Sequence, residues 1–332
     1  MHSDKKYVQF KSQRRYGIEI ETGCTLSKLK VKGIISRNSM YNVKSTKYEL
    51  TFETDMWHVK DDATCGPEGR RGPKGVEIAS FVGKGLDDLY HMSSVADALY
   101  RAGSRVNSNC GFHIHAEVKD LTEKHVGKIL AYWIKIEPVL AYAMPSSRWN
   151  NYHCRQVLDR KNIDKSKKWS SKDLYDILKP IDIAFYENDD RRVNLNLVNF
   201  TRAIYVNSSH RKTLEFRWPE GTLSGIDIRC WVRLFLNFID TCKKKPMPKD
   251  LMPLELNDVL SCFGLNHEES LVELCPELTE TKIWFLERFI NFGDNPASLA
   301  YHGYPLIESP KLTVIEAKKT LNQMLNIHKI YA

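Results

Sequence analysis

Apolar and polar residues alternate with a period of two in six short stretches: 14–24, 50–59, 74–80, 110–118, 191–200 and 212–219. That period marks strands with one buried and one polar face. A period near 3.6 predicts helices over 86–102, 122–143, 171–178 and 225–241. Three more are expected near 268–274, 280–292 and 310–328. The expected fold class is α+β: a mostly antiparallel six-stranded sheet flanked by helices, with a helical C-terminal region. The run KKKPMPKDLMP (243–253), with three prolines, is the boundary candidate. It would separate a domain of 1–242 from a helical region of 243–332 packed on it. The span 61–74 reads as a loop, and no internal repeat is evident.

Residues i and i+2 of a strand share a face. Glu19 and Glu21 therefore oppose Ile18 and Ile20. Glu53, Asp55 and Trp57 share a face of the second strand, and Glu77 opposes Val76 and Ile78. His113, His115 and Glu117 oppose Phe112, Ile114 and Ala116. Arg192, Asn194 and Asn196 oppose Val193, Leu195 and Leu197. Glu215 and Arg217 oppose Leu214, Phe216 and Trp218. Solvated sheet faces favour Lys, Thr, Ser and Gln, whereas these carry Glu at the centres of apolar strands. Like charges on neighbouring strands repel, so Glu19, Glu21, Glu77 and Glu215 call for counter-charges. Divalent cations and arginines supply them, and hard oxygen ligands suit Mg²⁺ or Mn²⁺, which commonly accompanies phosphates. A plain solvated face is the alternative.

Composition narrows the classes. Apolar residues make up 42% of the 332, enough for a core, and no apolar run is long enough to span a membrane. The first residues contain charges but no apolar stretch of the secretory kind, so a cytoplasmic location is expected. The eight cysteines form no C-x-x-C pair and are expected as reduced thiols. Net charge is +8, from 49 basic and 41 acidic residues, and 160–172 alone contributes +5 of it. The excess is thus a local basic loop, suited to solvent, an acidic substrate or, as a rival reading, nucleic acid with Trp149 and Trp169. No glycine-rich Walker loop is present, which disfavours a P-loop ATPase.

The motifs YGIEIET, GVEIAS, NCGFHIHAEV, RRVNLNL and TLEFRWPEGTL, in that order, resemble the amidoligase family. Those proteins share the catalytic fold of glutamine synthetase and glutamate–cysteine ligase. RWNNYHC (148–154) is similar to a further element of the family, and the resemblance covers about 14–240. It implies a curved antiparallel sheet that holds ATP and Mg²⁺ or Mn²⁺, and an ATP-dependent ligase joining a carboxylate to an amine through an acyl phosphate. Carried over by position, Glu19, Glu21, Glu77 and Glu215 would bind metal. His113 would sit beside a metal and the nucleotide phosphates, with His115 also at the nucleotide. Arg217 would stabilise the transferring phosphoryl group. Arg192 and Arg202 compete as a further phosphate or substrate arginine, and Arg155, Asp55 and Trp57 are candidate substrate contacts. The family places a second carboxylate shortly after the third-strand Glu, and EIASFVGKG offers none. Glu53, Asp55 or water would complete that shell, and Glu53 and Asp55 are also candidates for the base that deprotonates the amine.

Two rival readings stay open, nucleic-acid binding through the basic loop and metal-dependent hydrolysis. A metal-dependent hydrolase would use His113, His115 and a Glu, though the arginines and the Glu-x-Glu strand disfavour it. A zinc site including Cys110 is disfavoured because Cys110, three residues from His113, falls on the opposite face of the strand. The carboxylate and amine substrates, whether amino acid, peptide or protein side chain, are not named by the sequence.

Overall fold

Tyr16, Ile18 and Ile20 line one face of strand β1 (Arg15–Thr22) and are at most 2% exposed. The computed structural model describes residues 12–46, 55–66, 74–149, 151–157, 163–180, 191–206, 211–265, 276–292 and 310–331. Strands β2 (Asn42–Ser45), β3 (Met56–Asp62), β4 (Gly75–Ala79), β6 (Phe112–Glu117), β7 (Leu195–Asn196) and β8 (Thr213–Phe216) join β1 in one sheet. Their order is β2-β3-β4-β1-β6-β8-β7, and β5 (Gly83–Lys84) pairs with the start of β1. All pairings among the described residues are antiparallel except β2 with β3.

The sheet therefore has eight strands among the described residues, where alternation predicts six. β2 contains one apolar residue and β5 has two residues in all, too few to show a period. The stretch 191–200, predicted as a strand, contributes only Leu195–Asn196 before helix α5 (Val198–Tyr205) begins. The Asn196 carboxamide oxygen accepts the Val198 N–H at 2.9 Å, and this turn converts the strand into a helix.

The chain divides into two compact units. One comprises Gln13–Lys119 and Pro180–Val232 and contains the whole sheet. Its apolar face is covered by α1 (Lys28–Asn38) and α2 (Gly85–Arg101). α1 buries Val31, Ile34 and Ile35, spaced for one helix face, and Ser27 caps it by accepting the Lys30 N–H. Between helices and sheet, Phe81 stacks on Tyr41 with centroids 3.8 Å apart and meets Trp57 edge-on at 5.7 Å. A final helix, α6 (Gly225–Cys242), starts where the Asp97 carboxylate of α2 accepts the Gly225 N–H.

The other unit takes its described residues from Ser12, Asp120–Lys179 and Arg233–Ala332. It contains α3 (Glu123–Leu140), α4 (Ser171–Leu178), the second half of α6, α7 (Leu256–Cys262), α8 (Pro276–Phe292) and α9 (Pro310–Tyr331). The helices of 123–178 thus group with the C-terminal ones, in place of the expected division at 242/243. Trp133 of α3 packs on Phe235 and Phe238 of α6, and Phe238, Phe263, Phe285 and Phe289 form a continuous aromatic row. The fully buried Arg233 pairs with Glu280 of α8 at 2.5 Å. At Gly127 a Cβ would lie 1.7 Å from the Ser171 carbonyl oxygen, so α3 and α4 approach to backbone contact.

The predicted helices at 280–292 and 310–328 are present as α8 and α9, while 268–274 lies outside the described residues. Among the described residues no helix is long and apolar enough to cross a membrane. The seven described cysteines are free thiols, as expected, and Cys275 lies outside.

Candidate active site

The register of the strands sets the second face of the sheet in three cross-strand rows. In the first, Lys60 of β3 lies opposite Glu77 of β4, which lies opposite Glu21 of β1. In the second, His58, Ala79, Glu19 and His113 follow one another across β3, β4, β1 and β6. In the third, Gly17, His115, Glu215 and Asn196 follow across β1, β6, β8 and β7. Arg217 stands one residue beyond the end of β8. Six residues expected from the alternation, Glu19, Glu21, Glu77, His113, His115 and Glu215, thus meet on one face.

Their contacts are close. His113 Nδ1 lies 2.9 Å from Glu19 Oε2, and His115 Nε2 lies 3.1 Å from Glu19 Oε1. Glu215 Oε1 is 3.7 Å from His115 Nε2, 3.9 Å from His113 Nδ1, and forms an ion pair with the Arg217 guanidinium. Asn196 Nδ2 donates to the other Glu215 oxygen at 2.6 Å. The Gly111 N–H donates to Glu21 Oε2 at 2.5 Å, and the Cys65 thiol donates to the same oxygen at 3.4 Å.

Electrostatics distinguish the carboxylates. Burial works to raise Glu215, but Arg217 and His115 outweigh it and hold it down to about 2. Burial likewise opposes ionisation of Glu19, and His115 and His113 hold it well below the usual carboxylate range. His115 is pushed up in turn: burial lowers it, but Glu215 and Glu19 outweigh burial. Glu77 goes the other way. Burial and the charge of Glu19, with Glu21 adding, push it well above the usual range against the pull of Lys60. One ammonium does not offset burial and the neighbouring carboxylates, so negative charge on Glu77 is disfavoured at this end of the face.

That imbalance and the donor set fit a hard divalent cation. Donor atoms of Glu19, His115 and Glu215 all lie within 4.8 Å of one another, and so do those of Glu21, Asp62 and Cys65. A hydrogen bond with Cys110, together with burial and the Glu21 charge, pushes the Cys65 thiol up. Cys110 lies two residues before β6 and donates to Asn107 Oδ1 at 3.4 Å.

Other expected residues lie elsewhere. Trp57 is a correction: it is fully buried on the helix-covered face, donates its indole N–H to Ser39 Oγ at 3.0 Å, and serves the core. Asp55 is exposed in the turn before β3, and Glu53 lies outside the described residues. Arg192 is half-buried three residues before β7, and Arg202 is buried on α5. Arg155 belongs to the helical unit, its guanidinium 5.1 Å from the Tyr152 ring centroid.

Four residues of the face are additions: His58, Lys60, Asp62 and Asn196. Lys60 and Asp62 are missed because the predicted second strand stops at residue 59, whereas β3 continues to Asp62. Continuing the alternation would still have set them opposite the predicted Glu53–Asp55–Trp57 face. Asn196 shares the predicted face of Glu215, but only the β7–β8 register reveals that it holds that carboxylate.

No curated protein matches the chain. Among solved structures, it is similar to a chain in the crystal structure of the complex between prokaryotic ubiquitin-like protein Pup and its ligase PafA. That alignment has 12% identity and a TM-score of 0.35, and covers 96% of this chain and 66% of the other, just under two thirds of its length. A family profile described as "Putative amidoligase enzyme" matches residues 12–239, a span that includes every residue of the three rows. The chain therefore belongs to the amidoligase family.

Proposed function

We propose that the protein is an ATP-dependent carboxylate–amine ligase that forms an amide or isopeptide bond through an acyl phosphate. The observation that carries the reading is the convergence of four glutamates, two histidines and Arg217 on one sheet face, in a chain of the amidoligase family. A carboxylate does not react with an amine directly, because its leaving group would be oxide. Attack of the carboxylate on the γ-phosphorus of ATP, with ADP leaving, supplies a phosphate leaving group. The amine then attacks the acyl carbon, phosphate departs, and one amine proton goes to a base.

Glu19, Glu21, Glu77 and Glu215, with His113 and His115 beside them, are the residues that would hold Mg²⁺ or Mn²⁺. A bound divalent cation would neutralise phosphate charge during transfer. Arg217, held by Glu215, would present its guanidinium to charge that develops on the phosphoryl oxygens. Glu215 stays ionised throughout, because Arg217 and His115 hold its proton affinity low. Arg192 and Arg202 are proposed as further phosphate or substrate arginines, and Arg155 as a substrate arginine. Asp55 and Glu53 are the proposed candidates for the base. The substrates are proposed as an amino acid, peptide or protein side chain.

The test is turnover of ATP to ADP by the purified protein with Mg²⁺, against pooled carboxylates and amines. The reading predicts ADP release that needs a carboxylate and product that needs both pools. ADP release that is indifferent to both pools, or none under any pairing, contradicts it.

A further inference from the structure

Lys60 is the basic member of an otherwise acidic row. Strand pairing sets it directly opposite Glu77, with Glu21 next across the sheet. Its Nζ lies 2.8 Å from Glu77 Oε2, and its side chain is 23% exposed, so the ammonium is not walled in. The ammonium is seated on one of the two oxygens that Glu77 would offer to a divalent cation.

A divalent cation and an ammonium on the same carboxylate repel each other at contact distance. Lysine carries its charge on a flexible four-carbon stem and is a point-charge partner for phosphate. We propose that Lys60 is an internal counter-ion: it yields Glu77 to the incoming divalent cation and then pairs with a phosphate of the nucleotide. This rests on the reading of the face as a metal–nucleotide site. It makes Lys60 a nucleotide-binding residue for which the sequence pattern supplied no role. A permanent cross-strand ion pair is the alternative that the test separates.

The roles have opposite signs in binding. Lys60→Met removes a competitor, so Mn²⁺ alone should bind about ten-fold tighter, the scale of a single coupled charge. The same variant should bind ADP about ten-fold or more weakly at saturating Mg²⁺, through loss of a charge-assisted hydrogen bond. Lys60→Arg keeps the charge and should remain near wild type in both titrations. Calorimetry of wild type and both variants, with melting curves on the same preparations, supplies the readouts. Unchanged affinities in Lys60→Met, or a joint fall of both with a lower melting midpoint, overturn the proposal while leaving the site reading intact. Lys60→Gln repeats the test should the Met variant fail to fold. A wild-type protein that binds neither Mn²⁺ nor Mg²⁺-ADP overturns the site reading and this proposal together.

Discussion

Arg217→Lys separates a catalytic arginine from a structural one. The guanidinium is largely buried, its side chain 17% exposed, and one of its donors pairs with Glu215 Oε1. Burial lowers its proton affinity, but the charges of Glu215, Glu19 and Glu21 together raise it above the ordinary value. A lysine keeps the charge and can keep the Glu215 contact, but it loses the planar fork that serves two partners at once. If the remaining donors stabilise the transferring phosphoryl, kcat should fall roughly 10²–10³-fold, about 2.7–4 kcal/mol, the scale of losing one oriented donor. Stability should change by only about 1–2 kcal/mol, because an ion pair to Glu215 persists. In a unit of this size that is a melting shift of roughly 2–8 °C. The assay is ADP release with Mg²⁺ and saturating substrates, alongside nucleotide affinity and thermal melting on one preparation. Nucleotide affinity should change far less than kcat. A variant with wild-type turnover per folded molecule and a lowered midpoint refutes the catalytic role, and leaves Arg217 as the structural partner of Glu215.

Two further predictions concern the helical unit. The Asp250 carboxyl is held below its ordinary value by the Lys135 ammonium 2.5 Å away, with burial opposing. A depressed carboxyl contributes stability above its unfolded titration range and loses it as pH falls through the folded one. Asp250→Asn should therefore cost no more than about 1 kcal/mol at pH 7 for this half-exposed group. In urea melts that gap should close below pH ~4, and a gap that widens on acidification would contradict the assignment. Gly127→Ala forces a methyl onto the Ser171 carbonyl oxygen. It should lower stability by about 1–3 kcal/mol, the usual cost of overpacking, and an unchanged melting midpoint would show that α3 and α4 separate freely.

The parts of the site that were legible in the sequence follow from one rule. Period-two alternation assigns Glu19 with Glu21, His113 with His115, and Glu215 with Arg217 each to the polar side of its own strand. It carries no information about which strands pair or in what register. The Glu53–Asp55–Trp57 grouping shows the consequence. Trp57 occupies one face of β3, and it is the other face, with His58 and Lys60, that meets Glu77. Asn196 was hidden for a different reason: VNLNLVNF alternates like a strand, but the Asn196 side chain starts a helix at Val198. α1 escaped because lysines and Gly33 dilute its apolar stripe of Val31, Ile34 and Ile35. The grouping of α3 and α4 with the C-terminal helices was not legible either, since an apolar stripe shows that a helix is covered and not by what.

If the site is as proposed, the carboxylates of this face bind a divalent cation together with a nucleotide. Calorimetric titration of Mg²⁺ into wild type, Glu19→Gln and Glu215→Gln, each with and without ADP, tests it most directly. Wild type should bind Mg²⁺ saturably, and more tightly when ADP is present. Each Gln variant, folded by its melting curve, should bind at least about ten-fold more weakly, since one charged ligand is lost. Equal binding by wild type and both variants, or no effect of ADP, would contradict it and leave the face as buried ion pairs alone.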